Sequence, residues 1–255
     1  MNMHTPQSLE ADAECQHILN VSKQLVSPQS NKPIIGLVQD SVIGSHLLTQ
    51  KDTFLRHTRV MDLSMHCVYR TKPIPRPAIR YRDPETGEWH SYWTGKQVYS
   101  MIIPHINLNK LVRDTDVFDP MDPGEGCVII RRGELLCGSL CKGTIGRSSG
   151  GIVHVICNDL DNEHAHRFLS DAQRLTCEFM FHSGFSIGIK DVVGNPETDQ
   201  AVHEVITTAF SKIESISEED NIDPAVLEQR IRTVLQNVTT ETGSLVVERL
   251  SPDNN

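Results

Sequence analysis

The spacing of Phe168, Ala172, Leu175 and Phe179, at i, i+4, i+7 and i+11, constrains this chain more than any other feature. Only a helix of 3.6 residues per turn puts these four on one face, and a face that apolar must be covered by other elements. The stretch from "DNEHAH" to "MFHSG" is therefore expected to be one long amphipathic helix ended by Gly184. With 255 residues, 38% of them hydrophobic, the chain has enough material for one or two domains around a real core. No apolar run approaches the roughly 20 residues that a membrane span needs, and no secretory leader is visible.

The other elements follow from punctuation. Ser8 is placed to cap a helix over Ser8–Leu25, which "SPQSNKP" ends because prolines exclude helix continuation. "IIGLVQDSVIGSHLL" reads as a short extended segment and then a helix, and Thr49 as the cap of a further helix over "QKDTFLRHTRVMDLSMHC". The proline-rich, basic and aromatic run "RTKPIPRPAIRYRDPETGEWHSYW" is expected to be a long ordered loop, followed by a short helix capped by Thr94. "CVIIRRGELLCGSL" reads as a β-hairpin turning at Gly133, "CKGTIGRSSGG" as a loop, and "GGIVHVICND", by its β-branched residues, as a strand. Two more helices are expected, over Thr198–Ser215 and Pro224–Thr240, the latter with Leu227, Ile231, Val234 and Val238 on one stripe. The fold class is α+β, with a mixed domain followed by a helical subdomain.

Charge is unevenly distributed. Residues 1–192 hold 20 Lys+Arg against 21 Asp+Glu, and residues 193–255 hold 4 against 12. The acidic third repels phosphates, so any nucleic-acid contact belongs to the first two thirds, and overall acidity argues against a free-standing DNA-binding module but not against one piece of a larger nucleic-acid machine. Seven scattered cysteines (15, 67, 127, 137, 141, 157 and 177), mostly among apolar neighbours, suggest buried thiols in a reducing compartment. Cys137 and Cys141, with His164 and His166 further on, lack the paired CxxC knuckles of a zinc site and read as thiols and surface histidines. Glu218–Asp220 reads as a solvated linker. No nucleophile has a triad-type signature around it, so no catalytic residue and no metal ligand is assigned. The Gly143–Gly151 loop, with Lys142 and Arg147, has donors and charge suited to a phosphate but lacks the order of a P-loop.

Five stretches occur in order: "MNMHTPQSLEADAE", "SPQSNKPIIGLVQDSVIGSHLLTQKDTF", "WTGKQVYSMIIP", "GELLCGSLCKGTIGRSSGGIVHV" and "GFSIGIKD". Together they resemble, collinearly over nearly the whole chain, the central part of the largest subunit of multisubunit DNA-directed RNA polymerases. "SPQSNKP", "GLVQD" and "SSGGIVHV" are similar to RNA polymerase II and to the subunits of large DNA viruses. "GTIG" and "GFSIGI" are also similar to RNA polymerase III.

The resemblance implies a division into the end of the active-site domain (1–26), the pore domain (27–192, the third domain of that subunit) and part of the funnel domain (193–255, its fourth). It implies that "MNMHTPQS" follows the aspartate-rich loop that holds the catalytic magnesium, so that this chain contributes no catalytic residue and no cofactor of its own. Its role is then to line the secondary channel through which nucleotides enter and backtracked RNA leaves. Lys142, Gly143 and Arg147, with Lys32, Gln39 and Asp40, are the candidate channel residues. The implied partners are the other polymerase subunits, the rest of the largest subunit, template DNA and RNA, and a transcript-cleavage factor at the funnel, with no membrane. The implied location is the nucleus, or a viral factory or virion for a viral protein. The resemblance also makes "GGIVHVICND" helical, against its β-branched composition. Two positions depart from the family pattern: Lys190 stands where glycine is usual, and Gly143 where a second lysine is common. The alternative is a free regulatory or decoy protein that reuses the same fold to bind polymerase factors.

Overall fold

In the computed structural model, residues 2–85, 87–111, 125–218 and 223–249 are described, with the backbone alone at 190 and 192. The elements are α1 (Leu9–Glu14), β1 (Val26–Ser27), β2 (Lys32–Pro33), α2 (Asp40–Thr49), β3 (Phe54–Arg56), α3 (His57–His66), β4 (Ile79–Arg82), β5 (Trp89–Thr94) and α4 (Gly95–Ser100). They continue with β6 (Leu108–Leu111), β7 (Cys127–Arg131), β8 (Glu134–Cys137), α5 (Lys142–Ile145), α6 (Ile152–Asp159), α7 (Asn162–Ser183), α8 (Ile189–Val192), α9 (Pro196–Ser217) and α10 (Pro224–Glu248). The chain divides into two units, Met1–Gly184 and Phe185–Asn255. This is the expected α+β composition, with small antiparallel sheets in the first unit and helices in the second.

α7 is the expected long helix. Asp161 caps it by accepting from the His164 N–H, and Gly184, at φ +69°, ends it. Phe168, Ala172, Leu175 and Phe179 are all buried, as is Ala165 one turn earlier. Each large side chain on this stripe contributes roughly 1.5–3 kcal/mol by leaving water. α2, α3 and α6 cover it. The approach of α2 is close because Gly44 has no side chain; a Cβ there would lie 2.8 Å from Met180 Cγ. The one acid on the buried face, Asp171, is 1% exposed and accepts from the backbone N–H groups of Val68 (2.9 Å) and Tyr69 (2.7 Å), just past α3. Burial, and then the Asp171 carboxylate, push the neighbouring Cys67 thiol up to about 12.

Three antiparallel sheets flank these helices: β1–β2, β3–β5–β4 and β6–β7–β8. The β7–β8 hairpin turns at Arg132 and Gly133, both at positive φ (51° and 73°), the conformation that a two-residue hairpin turn requires. Thr94 caps α4 as expected, and the cap is reciprocal, with Gln97 bonding back to the Thr94 N–H.

Several expectations are corrected. Thr49 does not cap a helix but ends α2, donating to Ser45 O and accepting from Leu140 N. The segment after it is strand β3, because Leu55 pairs opposite the buried Trp93, and the helix starts only at His57. The proline-rich run is not all loop. It contains β4 and β5, held by an Ile79–Tyr92 to Arg82–Trp89 register, while Trp93 Nε1 donates to Pro75 O. "CKGTIGRSSGG" contains the helical turn α5. "GGIVHVICND" is helix α6, its buried Ile152, Val153 and Ile156 at helical spacing, so the family resemblance rather than β-branching was the better guide. The first helix is shorter than expected: α1 passes into a π-turn at Cys15–Leu19, and Asn20 then breaks it by accepting from Ser22 N. Of the cysteines, all free, only Cys67 and Cys127 are buried, and Cys15 and Cys177 are exposed.

In the second unit α9 and α10 pack against each other, each with proline in its first turn. Arg249, after α10, donates to Glu197 O in the first turn of α9, so the two run antiparallel. The stripe Leu227, Ile231, Val234 and Val238 is half-buried as its spacing predicts, and the helix continues beyond Thr240. Glu218 ends α9, while residues 219–220 of the expected linker lie outside the described residues. Among the described residues no helix is long and apolar enough to cross a membrane.

Removing the buried carboxylate takes the charged acceptor from the N–H groups of Val68 and Tyr69. Asp171→Ala is therefore expected to cost about 3 kcal/mol, seen as a lowered urea midpoint with the far-ultraviolet spectrum unchanged. In the unmodified protein at pH 8, iodoacetamide is expected to label Cys15 and Cys177 long before Cys67, by peptide mass spectrometry.

Candidate functional site

Lys142 begins a single helical turn whose shape is set by the residues around it. Cys141 is extended, and its Sγ accepts from Gly143 N (3.2 Å). Thr144 Oγ1 accepts from Cys141 N and donates to Cys141 O, both at 2.9 Å. The turn is anchored on both sides. Leu140 N donates to Thr49 Oγ1 on α2, and Lys110 on β6 donates from Nζ to Gly143 O (2.8 Å) and Ser149 O (3.0 Å). A third tie comes from Leu37 N to Ile145 O (3.1 Å). There the two backbones pass so closely that a Cβ on Gly36 would lie 2.6 Å from Gly146 C.

This packing brings the segment ending in Gln39 and Asp40 beside the turn that carries Lys142, Gly143 and Arg147. Lys142 and Arg147 are exposed and Gly143 is half-buried. Gln39 and Asp40 are exposed at the start of α2, and Lys32 is exposed on β2, in the β1–β2 pair. Among the described residues no ion pair or side-chain hydrogen bond joins any two of these six. Gln39 is held at φ +51° and ψ −126°, a region that favours glycine, and its carbonyl accepts from Val42 N and Ile43 N at the start of α2.

The glycine N–H groups are already bonded within the loop. Gly143 N donates to Cys141 Sγ, Gly146 N to Lys142 O, Gly150 N to His154 Nδ1 and Gly151 N to Ser148 O. What the turn offers an anion is thus a pair of exposed cationic side chains on a rigid base, rather than a backbone cradle. Lys110 and His154 build that base and carry no sequence motif. His154 is buried, its Nδ1 accepts from Gly150 N, and its Nε2 has no partner among the described residues.

The Cys137, Cys141, His164 and His166 set does not converge. Cys141 caps α5, and His164 bonds Asp161 at the start of α7 (2.6 Å). The Asp161 carboxyl is held below its usual range first by the hydrogen bond from the His164 backbone N–H. Among the described residues the metal-ligating side chains that do converge are elsewhere: Asp62 and His66 on α3 with Glu178 on α7. The signal for them is in the sequence, as "DLSMH" and "EFMFH", two acid-to-histidine pairs at i, i+4.

A family model described as RNA polymerase Rpb1, domain 3, matches residues 24–192. Two Trypanosoma brucei brucei proteins, named DNA-directed RNA polymerase II subunit RPB1-A and RPB1-B, are each 37% identical to the chain over 216 residues. The match covers 85% of this chain and 12% of each relative, so the chain spans a small part of their length.

Lys110 supplies charged hydrogen bonds to two loop carbonyls. Lys110→Met is expected to leave the fold intact, lower stability by about 1–2 kcal/mol, and speed amide exchange at Gly146 and Leu37, read by hydrogen-exchange mass spectrometry.

Proposed function

This chain belongs to the family of RNA polymerase largest subunits, and from that premise we propose that it acts as a channel-lining part of a DNA-directed RNA polymerase. The match over residues 24–192, which includes the whole Lys142 turn and the segment packed on it, carries this reading. Lys142 and Arg147 meet triphosphates or backtracked RNA through point-charge contacts with phosphate, and the ties to Lys110, Thr49 and Leu37 keep those charges from retreating. Gln39 and Asp40 add polar groups on the adjoining segment.

Phosphoryl transfer itself needs clustered carboxylates to hold two metal ions against the attacking and leaving oxygens. In this proposal that set, with its magnesium, is supplied by the rest of the polymerase, and the chain alone adds no nucleotide. Residues 27–192 form the pore domain and 193–255 part of the funnel. The acidic α9–α10 pair suits a basic protein such as a transcript-cleavage factor, since its charge disfavours nucleic acid. The remaining partners are the other polymerase subunits, template DNA and RNA, and the location is the nucleus.

In an assembled polymerase carrying this segment, Lys142→Ala is expected to change cleavage of backtracked transcripts or pause duration about threefold to tenfold, and Lys142→Arg much less. The measurement is transcript cleavage and elongation on a defined scaffold at several salt concentrations. Unchanged rates with all variants would reduce the turn to a structural element.

A further inference from the structure

α3 and α7 each present an acid and a histidine one turn apart: Asp62 and His66 on one, Glu178 and His182 on the other. Because the helices pack together, the four side chains meet. His66 Nε2 lies 3.6 Å from Glu178 Oε2, and His182 Nε2 lies 3.1 Å from Glu178 Oε1 and 3.8 Å from Asp62 Oδ2. Ligand atoms of Asp62, His66 and Glu178 all fall within 4.8 Å of one another.

We propose that Asp62, His66, Glu178 and His182 form a zinc-binding site that staples α3 to α7. Imidazole nitrogen and carboxylate oxygen are donors that zinc accepts, at bond lengths of about 2.0–2.2 Å, so ligand atoms around a tetrahedral ion stand roughly 3.3 Å apart. The three acid–histidine separations, 3.1, 3.6 and 3.8 Å, are near that value, and side-chain rotations would bring His182 in with the converging Asp62, His66 and Glu178. Both histidines are about half exposed, at 47% and 49%, which gives the ion a path from solvent, while Glu178, at 20%, anchors the inner side. Arg59 shapes the site. Its Nη1 donates to Asp62 Oδ2 (2.8 Å) and lies 3.8 Å from Glu178 Oε1, while its Nη2 donates to Glu178 O (2.8 Å), so in this proposal zinc takes Asp62 through its other oxygen. The guanidinium also offsets part of the negative charge, so the site is weaker than one with two unpaired acids. This inference does not depend on the role of the Lys142 turn.

The test uses the full 255-residue chain, reduced, titrated with zinc by calorimetry and with cobalt by visible spectroscopy. One equivalent of zinc is expected to bind, raising the thermal midpoint, and cobalt is expected to give tetrahedral d–d bands without a thiolate charge-transfer band. His66→Ala and His182→Ala should each weaken zinc about tenfold or more, and the double variant should lose both the binding and the thermal shift. Their exposed positions make both changes tolerable, which circular dichroism checks. Three outcomes would overturn the proposal: no zinc bound by the unaltered chain, undiminished binding by a folded double variant, or a thiolate band that assigns the ion to cysteine.

Discussion

The buried face of α7 is the surface on which the first unit is organised. Its apolar stripe gathers α2, α3 and α6, but dispersion and water exclusion are not directional and leave helix register open. Asp171 supplies the direction. A carboxylate at 1% exposure persists only where donors replace its water, and here the N–H groups of Val68 and Tyr69 do so. That fixes where the chain leaves α3. From there Thr71 donates to Met101 O and Ile103 O, tying the segment to the chain that follows α4. On the other side, Ser41 donates to Gln173 Oε1 and sets the register of α2.

A continuous line of contacts runs from α7 to the candidate site. α2 rests on α7, its last residue Thr49 accepts from Leu140 N, and Leu140 leads directly into Cys141 and the Lys142 turn. The cations of that turn therefore stand on the protein core rather than on a free loop. The ties hold the backbone of the turn, so its loop entropy is lost on folding, while the Lys142 and Arg147 side chains keep their own freedom. Lys110 is a cation used inward, to hold two carbonyls, whereas Lys142 and Arg147 are turned to solvent.

Much of the frame was legible before any coordinates. The stripe of α7, the Thr94 cap, the β7–β8 hairpin and the α10 stripe are local patterns, each decided by periodicity or by one side chain bonding a nearby backbone group. The misread segments share a different cause. "TFLR" is a strand because β5 lies beside it, and Thr49 is buried because Leu140, 91 residues away, needs an acceptor. "GGIVHVICND" is a helix because Ile152, Val153 and Ile156 are buried together on one side of it.

Sequence alone determined the family, the α+β class and the acidic character of the last third, because these rest on residue identity and order. The tertiary structure decided which backbone donors of the glycine loop are already bonded, that Lys110 rather than a motif residue secures it, and that two acid–histidine pairs 112 residues apart meet between α3 and α7. The difference is physical: periodicity and capping act over one or two turns of chain, whereas buried donors and converging ligands are matched across the core, at sequence distances that no local pattern spans.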